Sequence, residues 1–293
     1  MDFDNPSPEL TSKILEHVKK SGFPLEWEVR DSLKKMLSKL PNDLHSFGVE
    51  SHGDYLDPQE NIYREFDLST FVRSTGSGGA PNIYWNQYFE CKQSDKNSWI
   101  FFTEPKEKYY QESMWTASSV NLRYLRMIPS LYSKNPEKLL GGPIHYGRHS
   151  HQAFSFIGYP DNTDTSIKSA IYQVLKPLYA HFTKVSKNII QRKQKIDKDI
   201  HLWFPVIVYL GNLFEFRYSG NGGQLIPSKH ILLESNLLLG NNNLPSTYLV
   251  DIVRFDYLDE YLEQQYSDYK LLKDYVTINK PERREIPEVV LYI

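Results

Sequence analysis

Leu10, Ile14, Leu15 and Val18 recur at helical spacing, with Ser7 as cap and Pro8 at the first helical position. Ser21-Gly22-Phe23-Pro24 breaks that helix. A second helix follows, with Leu25, Val29, Leu33, Met36, Leu37 and Leu40 on one stripe, and Pro41-Asn42-Asp43 ends it. The period then changes to that of strands. Residues 62–73, 83–92 and 98–103 read as three successive strands, the first two joined by the turn-forming TGSGGAP at 75–81. Residues 106–162 hold scattered aromatics and read as irregular structure or an insertion. A long helix is expected over 165–198, apolar at first (Ile171, Val174, Leu175, Leu178) and charged at its end. Residues 204–218 suggest a hairpin about Gly211-Asn212, 222–246 a loop-rich stretch, 247–255 a strand and 257–276 a helix. No internal repeat or low-complexity linker interrupts the chain. The pattern predicts one α/β domain over 1–293, with a central mixed sheet flanked by helices. Core motifs occupy 22–103, an insertion about 106–162, and a helix and strand completion about 163–293.

Composition narrows this a little. The chain has 293 residues, 40% hydrophobic and 24% charged, which suffices for a sizeable core without covalent staples. Cys91 is the one cysteine, so no intrachain disulfide forms, which fits a reducing compartment. The start MDFDNPSPEL lacks the basic and apolar stretches of a signal peptide. No apolar run approaches the roughly 20 residues of a membrane span. A soluble cytoplasmic protein without membrane contact is expected. The net charge of −2 argues against a protein that coats nucleic acid, yet leaves room for a local basic groove.

Chemistry concentrates at Glu90-Cys91-Lys92. Alternate strand residues share a face, so Glu90 and Lys92 point the same way, roughly 7 Å apart at their roots. Phe89 and Cys91 point into the opposite layer. Buried charges are costly unless paired or bound to a metal. Asp67 lies on the preceding strand, and if the two strands pair as a hairpin, Asp67 and Glu90 converge on one ion. Mg²⁺ takes oxygen ligands and keeps positions open for water and phosphate. Lys92 would then serve the attacking water or the developing charge.

Asp67, followed about twenty residues later by Glu90-Cys91-Lys92, resembles the PD-(D/E)xK nuclease superfamily. GFPLEWEV (22–29), YREFDLS (63–69) and FECKQSDKNSWIFF (89–102) stand in the order and spacing of restriction-endonuclease-like proteins. The likeness covers the first two-fifths of the chain, and Phe66 replaces the superfamily's proline before Asp67. It implies a restriction-endonuclease-like core and a metal-dependent endonuclease hydrolysing DNA phosphodiesters, in defence against foreign DNA. It also implies Mg²⁺ or Mn²⁺ held by Asp67, Glu90, the Cys91 carbonyl and a helical glutamate. At about 100° per residue, Glu26 falls roughly 50° from the centre of the apolar stripe and Glu28 roughly 110° away, so Glu26 is the helical candidate. Glu65 is a further candidate. A homodimer or a larger complex would both suit such a protein. The alternative is a catalytically inactive binding subunit on the same fold, in which Glu90 and Lys92 form a plain ion pair.

Other groups carry weaker signals. His145, His149 and His151 suggest either a metal site or a nucleic-acid-touching loop. Lys184, Lys187, Arg192, Lys193, Lys195 and Lys198 read equally as a phosphate-contacting face or a solvated helix end. Arg123, Arg126 and Arg148 are similar. TGSGGAP lacks the GK[ST] ending of a phosphate loop. Asp251, on an apolar strand, has no role that spacing reveals.

The helix geometry generates a direct test. Glu26→Gln is expected to weaken cation-dependent cleavage of plasmid DNA, while Glu28→Gln leaves it near wild type. Equal effects, or an effect from Glu28 alone, would show that the helix register is wrong.

Overall fold

A computed structural model describes residues 7–40, 46–57, 59–75, 82–105, 151–160, 164–191, 199–220, 222–237 and 246–279. The first helix, α1 (Pro8–Lys20), starts where the cap requires, with Leu10 N–H donating to Ser7 Oγ at 3.2 Å. Its apolar stripe stays about half exposed among the described residues. In α2 (Phe23–Leu37), Leu25, Val29, Leu33, Met36 and Leu37 are all buried.

The strands are β1 (Ser46–Leu56), β2 (Tyr63–Ser74), β3 (Asn82–Pro105), β4 (His151–Tyr159), β5 (Asp199–Ser219), β6 (Gly222–Pro227), β7 (His230–Leu237) and β8 (Ser246–Arg254). Helix α3 (Thr165–Gln191) precedes β5, and α4 (Leu258–Asn279) follows β8 through a single 3₁₀ turn. The strands form one eight-stranded mixed sheet, ordered β1-β2-β3-β4-β7-β8-β5-β6. The β1, β2 and β3 strands are antiparallel neighbours, and β3 also runs parallel to β5. That extra pairing closes β3, β4, β7, β8 and β5 into a ring, whose narrowest link is the residue pair Ala153↔Leu233.

Two apolar cores lie on opposite faces. In one, α2 and α4 (Leu258, Tyr261, Leu262, Tyr269) cover Leu68, Trp85, Phe89 and Val208. In the other, α3 (Ile167, Ile171, Val174, Leu178) covers Trp99, Phe101, Ile207 and Ile252. The chain is thus α/β, a large mixed sheet flanked by helices. Among the described residues, no helix is long and apolar enough to cross a membrane.

Several sequence expectations are corrected. No hairpin forms at Gly211-Asn212, because β5 runs unbroken for 21 residues. Gly211 sits beside the register shift between Gln93 and Ser98 on β3. A Cβ there would lie 2.6 Å from the Tyr209 ring and 2.8 Å from the Ser94 carbonyl, so this glycine serves a close approach and not a turn. Residues 83–92 and 98–103 are two parts of one strand of 24 residues, β3, continued through that irregularity. The stretch 222–246 contains β6 and β7, whose pairing with β5 and β8 outweighs their turn-rich composition. The irregular reading of 106–162 fails at its end, where β4 pairs with β3, while 106–150 lies outside the described residues. Strand β1 escaped the sequence reading altogether.

Asp251 acquires a role. Tyr261 Oη donates to its Oδ2 at 3.1 Å and His230 Nε2 stands 2.7 Å from its Oδ1, tying β7, β8 and α4 together. Asp57, fully buried at the end of β1, does the same for the β1–β2 connection. Its Oδ1 accepts the N–H groups of Gln59 and Glu60, and its Oδ2 meets Arg64 Nε at 3.0 Å and Lys176 Nζ on α3 at 2.7 Å. Burial alone would push the Asp57 carboxyl up, but Lys176 and these backbone donors hold it below the usual carboxylate range.

Removing that carboxylate leaves Lys176 and Arg64 with the half-exposed Glu60 as their remaining acidic partner and takes the acceptor from the Gln59 and Glu60 N–H groups. Asp57→Ala is expected to lower stability in urea by about 3 kcal/mol, because breaking a buried pair leaves its partners poorly compensated. Glu60→Ala, which removes a half-exposed partner of the same cations, should change it by less than about 1 kcal/mol. Similar losses in both variants would mean that Asp57 contributes no more than a surface pair.

Candidate active site

The β2–β3 ladder runs from Ser74↔Ile83 to Leu68↔Phe89 and stops. One step further the register sets Asp67 opposite Glu90, and a second step sets Phe66 opposite Cys91. The Cys91 N–H takes no strand partner from β2 there and donates to Asp67 Oδ2 at 2.8 Å. In a strand the N–H and C=O of one residue project to the same edge. The Cys91 carbonyl therefore faces the gap that Asp67 fills.

Asp67 can reach across because its strand turns. Phe66 packs in one core and Leu68 in the other, although alternate strand residues normally share a face. Gly53, opposite Phe66 on β1, makes room, since a Cβ there would strike the Phe66 ring. Its neighbour His52, opposite Asp67 in the same register, adopts φ 53°, which is uncommon for a residue with a side chain.

Charged side chains gather around this break. Lys92 Nζ lies 2.6 Å from Glu90 Oε1, and Glu90 is only 3% exposed. From α2, Glu26 reaches the same place half-buried, whereas Glu28 is exposed. His52 Nδ1 lies 2.8 Å from Glu65 Oε1 and its Nε2 3.5 Å from Glu26 Oε2. That Glu26 oxygen is buried and accepts no hydrogen bond among the described residues. Glu65, largely exposed, contacts His52 and lies near enough to Asp67 and Glu26 to raise both.

The carboxylates act on one another. Burial, then the Asp67 charge, pushes Glu90 up to about 8, against the pull of Lys92. Burial also raises Asp67, with Glu65 adding to the rise, while the Cys91 amide, Lys92 and His52 draw it down. Glu26 rises through burial and the Asp67 charge. Burial, with Asp67 and Glu90 beside it, lifts the Cys91 thiol well above its usual range, so that it stays protonated and is no nucleophile.

Despite this coupling, no three His, Cys, Asp or Glu side chains among the described residues converge tightly enough to form a metal shell. Glu90 is engaged by Lys92 and Asp67 by the Cys91 amide. The donor set still suits a hard cation, with oxygen ligands at raised pKa and one buried oxygen unmatched.

Of the weaker candidates, Lys184 is exposed on α3 and His151 opens β4. The side chain of Lys187 and residues Arg192, Lys193, Lys195, Lys198, Arg123, Arg126, His145, Arg148 and His149 lie outside what is described. Sequence reasoning missed His52. Its one local signal was a His-Gly pair within an alternating stretch, too common to single out. Comparison with protein-family models, curated proteins and solved structures finds no match to this chain.

The raised Glu90 pKa sets a pH dependence. The folded protein keeps a proton on Glu90 in a range where the unfolded chain has released it. That contribution to stability is full below the usual glutamate range and is lost as pH rises toward about 8. Glu90→Gln, neutral throughout, should flatten the decline in melting temperature from about pH 5 to about pH 8 in chelator. The opposite trend from His181, which burial lowers, is common to both proteins and cancels in the difference. A constant wild-type minus variant difference across the window would show that Glu90 is already ionised in the native state.

Proposed function

We propose that this chain is a divalent-cation-dependent endonuclease that hydrolyses phosphodiester bonds in DNA, built on a restriction-endonuclease-like core. The observation that carries the reading is the juncture at which β2 and β3 part. There the Asp67 charge raises both Glu90 and Glu26, and the Cys91 amide donates to Asp67. Asp67, Glu90, Glu26 and the Cys91 carbonyl would hold Mg²⁺ or Mn²⁺. Such an ion supplies an activated water and neutralises charge developing on the phosphate.

The chain's own residues do the rest. Glu90 fixes Lys92 Nζ at 2.6 Å, so that the ammonium is held at the mouth of the cluster and does not sweep through solvent. From there Lys92 orients the attacking water or stabilises the extra negative charge. His52 spans Glu65 and Glu26 and keeps the helical carboxylate turned toward Asp67.

The second reading is a binding subunit on the same fold, without catalysis. It is favoured by the direct Lys92–Glu90 ion pair and the lack of a converged shell among the described residues.

A cation titration on supercoiled and linear DNA separates the two. Wild type is expected to cleave with Mg²⁺ or Mn²⁺ and to stop in chelator. Lys92→Ala should lose on the order of 10²–10⁴-fold in rate, and Asp67→Ala at least as much. Cys91→Ala, which keeps the backbone, should retain most activity. Cleavage that persists in Asp67→Ala would come from a contaminant. A wild type inert with every cation, alone and with native partners, would leave the binding subunit as the better reading.

A further inference from the structure

Beside the carboxylate cluster, α2 carries a second stripe of a different kind. Phe23, Trp27, Arg30 and Lys34 stand at i, i+4, i+7 and i+11, within roughly 60° of one another at about 100° per residue. Glu26 lies at the boundary between this stripe and the buried face. Phe23 and Trp27 are 55% and 61% exposed, whereas large aromatic side chains usually hide most of their surface. The Arg30 guanidinium lies over the Trp27 ring, 5.4 Å from its centroid, and its Nε has no hydrogen-bond partner among the described residues. Phe23 continues the stripe into the cluster, its ring 5.9 Å from that of His52.

We propose that this face of α2 is a track for single-stranded nucleic acid that leads into the carboxylate cluster. Unpaired bases stack on Trp27 and Phe23, and the backbone phosphates run along Arg30 and Lys34. Three features select that occupant. Exposed aromatic faces suit bases whose own faces are free, which excludes an intact duplex, where each base is already stacked on its neighbours. The interleaved cations match a polyanion in a chain whose overall charge is −2. The track is also continuous, through Glu26 and His52, with the group of residues proposed to hydrolyse phosphodiesters. Its link to cleavage rests on that proposed function, while the binding surface stands on its own.

Binding is measured in chelator, so that nothing is cleaved. The probe is an oligothymidylate of about twelve nucleotides, a length within the span of single-strand sites, with oligouridylate and a duplex of equal length beside it. Single strands should bind more tightly than the duplex and quench tryptophan fluorescence. Trp27→Ala should weaken binding by roughly 5- to 150-fold, the worth of one stacked base. Trp27→Phe should keep much of the affinity but lose the quench. Arg30→Ala should lower the salt dependence of binding. Glu28→Ala, on another face, should change nothing. Because all of these side chains are wholly or partly exposed, unchanged melting temperatures serve as the folding control.

Equal affinity for duplex and single strand, or an unaltered affinity in Trp27→Ala, overturns the track. So does a wild-type dimer that Trp27→Ala dissociates with no effect on oligonucleotide binding, which would make this face a contact between copies. DNA cleavage by wild type together with Trp27-independent binding removes the track and leaves the nuclease intact. Trp27-dependent binding without cleavage under any cation keeps the track and removes the nuclease.

Discussion

A sheet that stops pairing in its interior leaves backbone amides without partners, and an unmatched amide in a buried place costs about as much as a lost hydrogen bond. The β2–β3 ladder ends at Leu68↔Phe89, well inside the sheet. The Asp67 carboxylate takes the Cys91 amide that the ladder leaves over. Much else follows from this bond. It requires Asp67 to turn out of the strand's alternation, which sends Phe66 and Leu68 into different cores. It requires Gly53 opposite, because any larger residue would meet the Phe66 ring. It also keeps an acidic oxygen in a half-buried place beside Glu90, whose carboxyl the Asp67 charge pushes up.

The surrounding scaffold is built to hold such an expense. Strand β3 carries Glu90-Cys91-Lys92 and is flanked along its length by the parallel β5, whose central residues Val206, Ile207 and Val208 are wholly buried. Apolar cores above and below keep water from the backbone, so the strand has little freedom to relieve the charges by moving. Asp57, Arg64 and Lys176 fasten the β1–β2 connection to α3. Since β1 supplies His52, this tie also steadies the residue that spans Glu26 and Glu65. A site on strands and a packed helix is held more firmly than one on loops, as the proposed cleavage would demand.

The acidic net charge and the proposed substrate are compatible on these terms. Asp67, Glu90 and Glu26 lie at one juncture, where in the proposed enzyme they would serve as oxygen donors. The neighbouring face of α2 offers two aromatic rings and two cations to a polyanion. Attraction is therefore local, and it operates within the screening length of about 10 Å at moderate salt.

What the amino-acid order determined on its own is whatever depends on near neighbours. The Ser7 cap, the stripe of α2, the shared face of Glu90 and Lys92 and the placement of Glu26 over Glu28 all follow from periods of 3.6 and 2, which involve only residues a few positions apart. Tertiary structure decided what depends on a partner strand or a distant helix. Gly211 reads as a turn until β3 is laid beside it and the missing Cβ proves to accommodate Tyr209 and Ser94. Residues 83–103 read as two strands until one continuous β5 pairs with both parts. His52 is one of 9 histidines until β1 sets it opposite Asp67, and Asp251 is an anomaly until His230 and Tyr261 reach it from β7 and α4. A hydrogen bond between residues far apart in the chain leaves no periodic trace in the sequence, because its geometry exists only once both ends are packed.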